Sequence, residues 1–346
     1  MKKITDWIKE HQIYAFFIIT FLITWGLGYS YIAVLRQGNF LLISLASIAT
    51  CGPALAGIII SAVTNTERKL RGTGTLWFVF FAALGVATLV VLANQEYINR
   101  SPVSPPFVLA ALMIAAPVAY VISMAYSRVP AVRTYLSSLA KPRGAVGWYL
   151  FALLFIPALA LLSVVVSGWL GRQPAVPTSL PVTGLPLLGL IAIKFLYQMF
   201  FFNTTGEEVG WRGFAWPRLQ AHLSPLIASL ILTFFWAIWH LFLWYAEGQA
   251  IFSGQYWLET FINLIPASLL IGWVYNRSKG SILAAGITHA AANTTFAFFI
   301  NLDWPVYTVM MYIFSLVIVM IDKMWQKLPT DHPAVIAKNE TQIAGG

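Results

Sequence analysis

The chain has 346 residues, of which 59% are hydrophobic and only 10% are charged, and its formal net charge is +9. Soluble globular proteins carry about 25% charged residues, so this composition excludes an ordinary water-soluble domain and indicates a membrane protein. The single cysteine, Cys51, excludes an intramolecular disulfide and a metal site built from several cysteines.

Repeated apolar runs long enough to cross a bilayer predict an all-α, polytopic transmembrane bundle of about ten spans. In chain order, the predicted spans are 13–35, 39–63, 75–94, 105–126, 147–169, 183–204, 224–246, 257–275, 281–300 and 305–322.

The distribution of Lys and Arg between these spans predicts the topology. With the N-terminus inside, 17 of the 21 basic residues fall on the cytoplasmic side, and only Arg36, Arg100 and Arg172 fall outside, while Lys194 lies within a span. The positive-inside rule therefore predicts that both termini are cytoplasmic. The basic balance is a topology signal and does not indicate a nucleic-acid partner; the expected location is a membrane, that of a bacterial cell if the chain is bacterial.

Polar residues divide the chain into regions. Residues 1–182 form about five spans with almost no ionisable interior residues and are interpreted as a scaffold, whereas 183–300 contain buried Glu, Arg, His and Asn. An ionisable group at mid-bilayer costs at least about 2.5 to 3.5 kcal/mol, so the function is expected in 183–300. Residues 301–323 are the last predicted span, and 324–346 are predicted to be a disordered cytoplasmic tail.

The first polar cluster is the sequence "GEEVGWRG". Glu208 and Arg212 are four residues apart on one helical face and can form an ion pair, whereas Glu207 lies about 100 degrees around the helix and stays available for proton transfer. Thr205 and Glu208 also match a capping box, so a simple helix start is an equally good interpretation of this segment alone.

Two further clusters follow in later helices. His240 lies in the aromatic sequence "TFFWAIWHLFLW", where a lone histidine is more often a satisfied polar residue bonded to a neighbouring helix. His289 and Asn293 share a face among small residues, which suits either close helix packing or donation to a developing oxyanion. Polar groups that three separate helices turn toward the bundle interior would stay unsatisfied unless the clusters meet. If they meet, they provide a free carboxylate, two imidazoles and an amide, a set that can activate water against a carbonyl.

The ordered pattern E-E-x(3)-R, aromatic-x(3)-H and H-x(3)-N resembles the CPBP intramembrane proteases, or ABI family, which includes type II CAAX prenyl proteases and bacteriocin-processing enzymes. The resemblance covers about 183–300. The family usually has phenylalanine four residues before the second-motif histidine, where this chain has Trp236.

The resemblance implies an intramembrane endopeptidase that hydrolyses a peptide bond of a membrane-associated substrate near the cytoplasmic face. It implies that Glu207 and His240 activate water, that His289 and Asn293 stabilise the oxyanion, and that Glu208 and Arg212 form a supporting pair. Both a metal-dependent and a glutamate-type mechanism stay open, and in the first Glu207, His240 and His289 are the candidate zinc ligands.

The predicted spans place the three clusters at different depths, with Glu207 at the cytoplasmic boundary. The clusters converge only if 206–222 dips back into the bundle or if the sixth and seventh spans are tilted or bounded differently. We therefore predict that "GEEVGWRGFAWPRLQ" is helical and partly buried, with its Glu pair facing a cavity open to the cytoplasm.

Two other functions use the same buried polar residues. A transporter would employ them as a proton or substrate path, although they cluster in one half of a chain without a matching repeat. A catalytically silent immunity protein would keep the fold without the reaction.

Overall fold

The computed structural model describes residues 2–38, 42–64, 73–172, 185–299 and 302–336, and in this part of the chain every regular element is helical, as the composition predicted. The α-helices are α1 Lys2–Glu10, α2 Gln12–Gln37, α3 Ile43–Thr50, α4 Gly52–Thr64, α5 Gly74–Ala93, α6 Pro105–Ser123, α7 Pro130–Ala140, α8 Val146–Trp169, α9 Leu185–Gln198, α10 Trp216–Gln220, α11 Pro225–Trp239, α12 Leu241–Ala246, α13 Gly254–Arg277, α14 Ile282–Phe298 and α15 Trp304–Ile321.

Eight helical segments among the described residues are long and apolar enough to cross a membrane, and a ninth is counted if α3 and α4, bent by 69° at their junction, form one span. The predicted span 281–300 corresponds to α14, which is shorter, with 17 residues. The molecule is thus a multi-pass bundle, while the count of about ten and the orientation of its termini stay predictions.

The sixth span differs from its predicted bounds. It was predicted to end at 204, but the helix runs from Pro186 to Gln220 over 35 residues. The helix continues through two π-helical segments, Met199–Glu208 and Trp211–Ala215, which join α9 to α10. π-helical turns are rare in proteins, but those that occur are frequently at functional sites. As a result Glu207 lies within a continuous helix, so the predicted helix end at 204 was wrong, while the bounds of the span in the membrane stay a prediction.

Glycines allow neighbouring helices to approach this segment closely. A Cβ at Gly210 would lie 2.4 Å from the carbonyl carbon of Pro53, and a Cβ at Gly206 would lie 2.9 Å from the carbonyl oxygen of Thr50. Gly206 lies within the continuous helix. Because it has no side chain, the bend between α3 and α4 can pack directly against it. The bent pair supports the back of the segment that carries the two glutamates.

The bundle has two ends, which we name from their charge and position. At the basic end, Arg218 Nε donates to Gln12 Oε1 at 2.9 Å, and the Leu226 amide donates to the Met324 carbonyl at 2.9 Å. The starts of α8 and α14 also meet, since Tyr149 Oη lies 2.9 Å from Ser281 Oγ. At the distal end, Arg36 Nε donates to the Ala246 carbonyl at 2.8 Å, which joins the ends of α2 and α12. Arg172 pairs with Asp303, which joins the end of α8 to the start of α15.

A densely packed layer lies between the basic end and the middle of the bundle. Trp211, Phe214 and Trp216 are completely buried in the main hydrophobic core. Residues 324–336 lie over this layer, because Gln220 Nε2 donates to the carbonyl of Ala334, which is also fully buried. The rest of the predicted tail, 337–346, lies outside the described residues.

Candidate active site

Glu207 occupies the centre of the candidate site. Its residue surface is 5% exposed, and its carboxylate oxygen Oε2 accepts a hydrogen bond from Trp236 Nε1 at 2.5 Å. The same oxygen lies 3.9 Å from His240 Nε2. The indole hydrogen bond therefore fixes the carboxylate in an orientation that faces the imidazole.

The hydrogen bonds of His240 assign its protons. Its Nδ1 lies 2.8 Å from the backbone carbonyl of Trp236, four residues earlier, and a carbonyl only accepts, so Nδ1 carries a proton. In the neutral ring, Nε2 is then an acceptor that faces Glu207. Two acceptors separated by 3.9 Å suit a water molecule that donates one hydrogen bond to each of them.

Glu208 belongs to a separate, fully buried network behind this pair. Its Oε1 accepts from Arg212 Nη1 at 3.0 Å and from His289 Nδ1 at 2.8 Å, and neither Glu208 nor Arg212 is exposed. Arg212 Nη2 also donates to Ser268 Oγ at 3.1 Å. The predicted Glu208–Arg212 pair is thus present, and the adjacent glutamates point to different partners, as the helical geometry indicated.

His289 connects the two parts of the site. Because Nδ1 donates to Glu208, Nε2 is left for the cavity, and it donates a hydrogen bond only when the ring is doubly protonated. The His289 ring also lies edge-on to the Trp236 indole, with centroids 5.2 Å apart. Asn293, one helical turn further along α14, lines the same cavity.

A cavity of about 1080 Å³ contains these groups, and its lining includes Glu207, Trp236, His240, His289 and Asn293. A cavity of this size accommodates several residues of a peptide. The three clusters predicted from the sequence therefore meet in one wall of one cavity, with Arg212 and Glu208 directly behind it.

The exposed residues of the cavity lining lie at one end of the bundle. Its exposed lining residues all lie at the distal end, in the turn after α12 and the first turns of α13 and α15; they are Glu247, Glu259, Ile262, Asn263, Trp304, Pro305 and Val309. The basic end, predicted to be cytoplasmic, is separated from the cavity by the layer of Trp211, Phe214 and Trp216. A cytoplasmic basic end and a cavity open to the cytoplasm are thus incompatible predictions.

The candidate zinc ligands do not form a ready metal site. Within the described ranges, no group of three or more His, Cys, Asp or Glu side chains is arranged to hold a metal ion. His289 directs Nδ1 to Glu208, and Glu207 directs Oε2 to the Trp236 indole. The first contacts of these side chains are therefore with other protein groups.

Two polar contributors were missed from the sequence. Trp236 was noted there only as the residue that stands in place of the family's phenylalanine, yet its indole N–H donates to Glu207. Ser268, which binds Arg212, had no signal that distinguished it from a small packing residue. Lys194, the lone lysine of the sixth span, lies over the Tyr197 ring, with Nζ 5.6 Å from its centroid, and is not among the residues that line the cavity.

The fold and the site are those of an all-helical, multi-pass membrane protein whose carboxylates and imidazoles meet in a cavity within the bundle. Comparison with known proteins is consistent with this class. The family model described as Type II CAAX prenyl endopeptidase Rce1-like matches residues 188–295, which include all six candidate residues. The chain is also 30% identical over 150 residues to CAAX prenyl protease 2 of Methanococcus maripaludis.

That match covers 40% of this chain and 52% of the archaeal protein, so the chain spans about half the length of the curated relative it matches. The chain is thus related to the type II CAAX prenyl endopeptidases through its polar helices.

Proposed function

We propose that the protein is an intramembrane endopeptidase that hydrolyses a peptide bond of a membrane-associated peptide or protein by a glutamate-type mechanism. The observation that carries the proposal is the 3.9 Å approach of Glu207 Oε2 to His240 Nε2 in the cavity wall. The relation to the type II CAAX prenyl endopeptidases supports the same class of reaction.

In the first step, Glu207 and His240 hold a water molecule between their acceptor atoms. Glu207 removes a proton from this water while the water oxygen forms a bond to the substrate carbonyl carbon. When the C–N bond of the tetrahedral intermediate breaks, the protonated Glu207 returns that proton to the leaving amine nitrogen. The proton count balances, and Glu207 ends as the carboxylate.

The intermediate carries a negative oxygen that needs preorganised donors. Asn293 supplies an amide N–H₂ in the cavity wall, and His289 supplies Nε2–H in its doubly protonated form. The Glu208 carboxylate, held by Arg212, is the anionic partner of that imidazolium. Glu208 and Arg212 therefore act through His289 and not on the substrate.

Two features favour this function over a transport path. The water-activating pair and the proposed oxyanion donors face one cavity, as hydrolysis requires. The completely buried layer of Trp211, Phe214 and Trp216 separates this cavity from the basic end, whereas transport requires alternating access to both ends.

The test is proteolysis of membrane-embedded peptides by the purified full-length protein and by Glu207→Gln. The isosteric change removes the base but keeps an oxygen that accepts from Trp236. We expect kcat to fall by at least about a hundredfold, the lower range for loss of general acid–base catalysis, at an unchanged melting temperature.

Glu96→Gln is the matched control, because Glu96 is an exposed carboxylate outside the cavity. It is expected to cleave at the wild-type rate. Full activity in Glu207→Gln would remove the proposed base and with it the mechanism.

A further inference from the structure

A second groove, of about 660 Å³, lies at the basic end, between the junction of α1 with α2 and the turn that joins α10 to α11. We propose that this groove binds a phospholipid whose headgroup carries a net negative charge. Among the described residues, the groove shares no lining side chain with the cavity that holds Glu207. The lipid is therefore bound outside the hydrolytic site.

One part of the groove carries its charge. The lining there includes Lys9, His11, Arg218 and His222, together with the carboxylate of Glu10. Lys9 and Arg218 against Glu10 leave an excess of one positive charge, before any charge on the two imidazoles. A headgroup with a net negative charge neutralises this excess, whereas a zwitterionic headgroup does not.

The polar groups of this part are suited to phosphate oxygens. Lys9 Nζ and the His222 ring make no hydrogen bond or ion pair with any other residue in the described ranges. The Arg218 guanidinium is held in place, because Nε donates to Gln12 Oε1 at 2.9 Å and the group lies over the Phe214 ring, 3.6 Å from its centroid. A fixed cation beside two donors without a protein partner provides charge-assisted hydrogen bonds for a phosphate.

The rest of the groove is apolar and runs along α2 and α11. Its walls include Ile13 and Phe17 from α2 and Ile231 and Phe235 from α11. The Phe17 and Phe235 rings stack with their centroids 3.8 Å apart, and they are the lining residues furthest along each helix from the basic end. A groove that is charged at one limit and apolar at the other matches a phospholipid, whose phosphate adjoins its acyl chains.

Helix α1 places the charged part at the level of the lipid headgroups. Its apolar residues Ile4, Trp7 and Ile8 share one face, and Ile8 packs against the main hydrophobic core. A short amphipathic helix with lysines on its polar surface lies in the plane of the membrane interface, where tryptophan is enriched. The Trp7 ring stacks on His11, with centroids 5.2 Å apart, so Lys9 and His11 lie at the same level.

The experiment measures binding of phosphatidylglycerol to the purified full-length protein in detergent micelles, by thermal unfolding and by native mass spectrometry. Phosphatidylcholine tests a lipid without net charge, and inorganic phosphate tests a free anion. We expect phosphatidylglycerol to raise the melting temperature more than phosphatidylcholine does, and inorganic phosphate to leave it unchanged. Equal stabilisation by the two lipids, or the same stabilisation by inorganic phosphate, would overturn the proposal.

Lys9→Gln tests the headgroup contact. Because Lys9 Nζ makes no polar contact in the described part of the chain, this variant is expected to melt at the wild-type temperature without added lipid. Its Kd for phosphatidylglycerol is expected to rise about fivefold, the loss of one lysine at an anionic lipid surface. Lys141→Gln is the matched control, since it removes the same charge at an exposed position outside the groove and is expected to keep the wild-type Kd. A wild-type Kd in Lys9→Gln would remove the headgroup from this site.

A second pair of variants tests the acyl-chain part. Ile231→Trp places a larger side chain in the groove, whereas Leu230→Trp places the same side chain on α11 outside the lining. Only Ile231→Trp is expected to raise the Kd for phosphatidylglycerol. Equal Kd values in the two variants would mean that charge alone attracts the lipid and would overturn the groove as its site. None of these measurements uses peptide cleavage, so their outcome is independent of the proposed function.

Discussion

Trp236 offers the sharpest test of how the site is organised. Its indole N–H donates to Glu207 Oε2 at 2.5 Å, its backbone carbonyl accepts from His240 Nδ1 at 2.8 Å, and its ring contacts His289. Substitution by phenylalanine keeps the backbone contact and an aromatic wall but removes the one side-chain donor that orients the proposed base.

The magnitude follows from the lost hydrogen bond. A hydrogen bond to a charged group contributes about 1.5 to 3 kcal/mol, and each 1.4 kcal/mol is a factor of ten, so Trp236→Phe is expected to lower kcat/KM by about 10- to 150-fold. The loss is expected mainly in kcat, because the hydrogen bond positions a group that acts in the transition state.

Trp239→Phe is the matched control for the replacement of a buried indole by a smaller phenyl ring. Trp239 is as deeply buried as Trp236, and its Nε1 donates to Thr24 Oγ1 at 2.8 Å, away from Glu207. The assay is steady-state cleavage of a membrane-embedded peptide, with thermal unfolding of each variant in the same detergent. Equal losses of kcat in the two variants at equal stability would refute the positioning role of Trp236.

Four further outcomes test other parts of the structure. Glu208→Gln is expected to lower the free energy of unfolding by about 3 to 5 kcal/mol, because it leaves the buried Arg212 guanidinium without its anion; a melting temperature equal to wild type would contradict this. Gly210→Ala is expected to cost about 1 to 3 kcal/mol from overlap with Pro53, whereas the control Gly85→Ala, with open space around it, is neutral or slightly stabilising by thermal unfolding. Removal of metal ions by a chelator is expected to leave kcat/KM unchanged. A loss of activity that added zinc restores would contradict the glutamate-type mechanism and support a metal-dependent one. Burial raises the pKa of Glu247 at the cavity opening. KM for a lysine-containing peptide is therefore expected to rise as the pH falls through that raised pKa, because the carboxylate loses its charge. In Glu247→Gln, this part of the pH profile of KM is expected to disappear.

The spacing of the motifs predicted the contacts that depend on a single helix. Glu208 and Arg212 are four residues apart, so their pairing follows from helical geometry alone, and the divergence of Glu207 follows from the same geometry. The meeting of three clusters from separate helices was predicted from the cost of leaving buried polar groups unsatisfied, which applies to any fold that the helices adopt.

The predictions that failed depended on where a helix ends. The sixth span was ended at 204 because polar residues follow, yet the π-helical turns continue it to Gln220 and carry Glu207 into the bundle. No residue pattern marks a π-helical turn, and the close approach of Pro53 that Gly210 permits is a tertiary contact. The hydrogen bond that Trp236 donates to Glu207 and the one that Ser268 accepts from Arg212 were missed for the same reason, since the partners lie on different helices.

The error at residue 204 also explains why two predictions conflict. With Glu207 placed at the end of a span beside the basic segments, a cavity open to the cytoplasm was the natural consequence of the topology. Once the helix continues to Gln220, the aromatic residues after Arg212 fill the space between the glutamates and the basic end, and Trp211, Phe214 and Trp216 become the barrier on that side. The same extension that buries the proposed base therefore turns its open side toward the distal end, where Glu247 and Glu259 line the entrance.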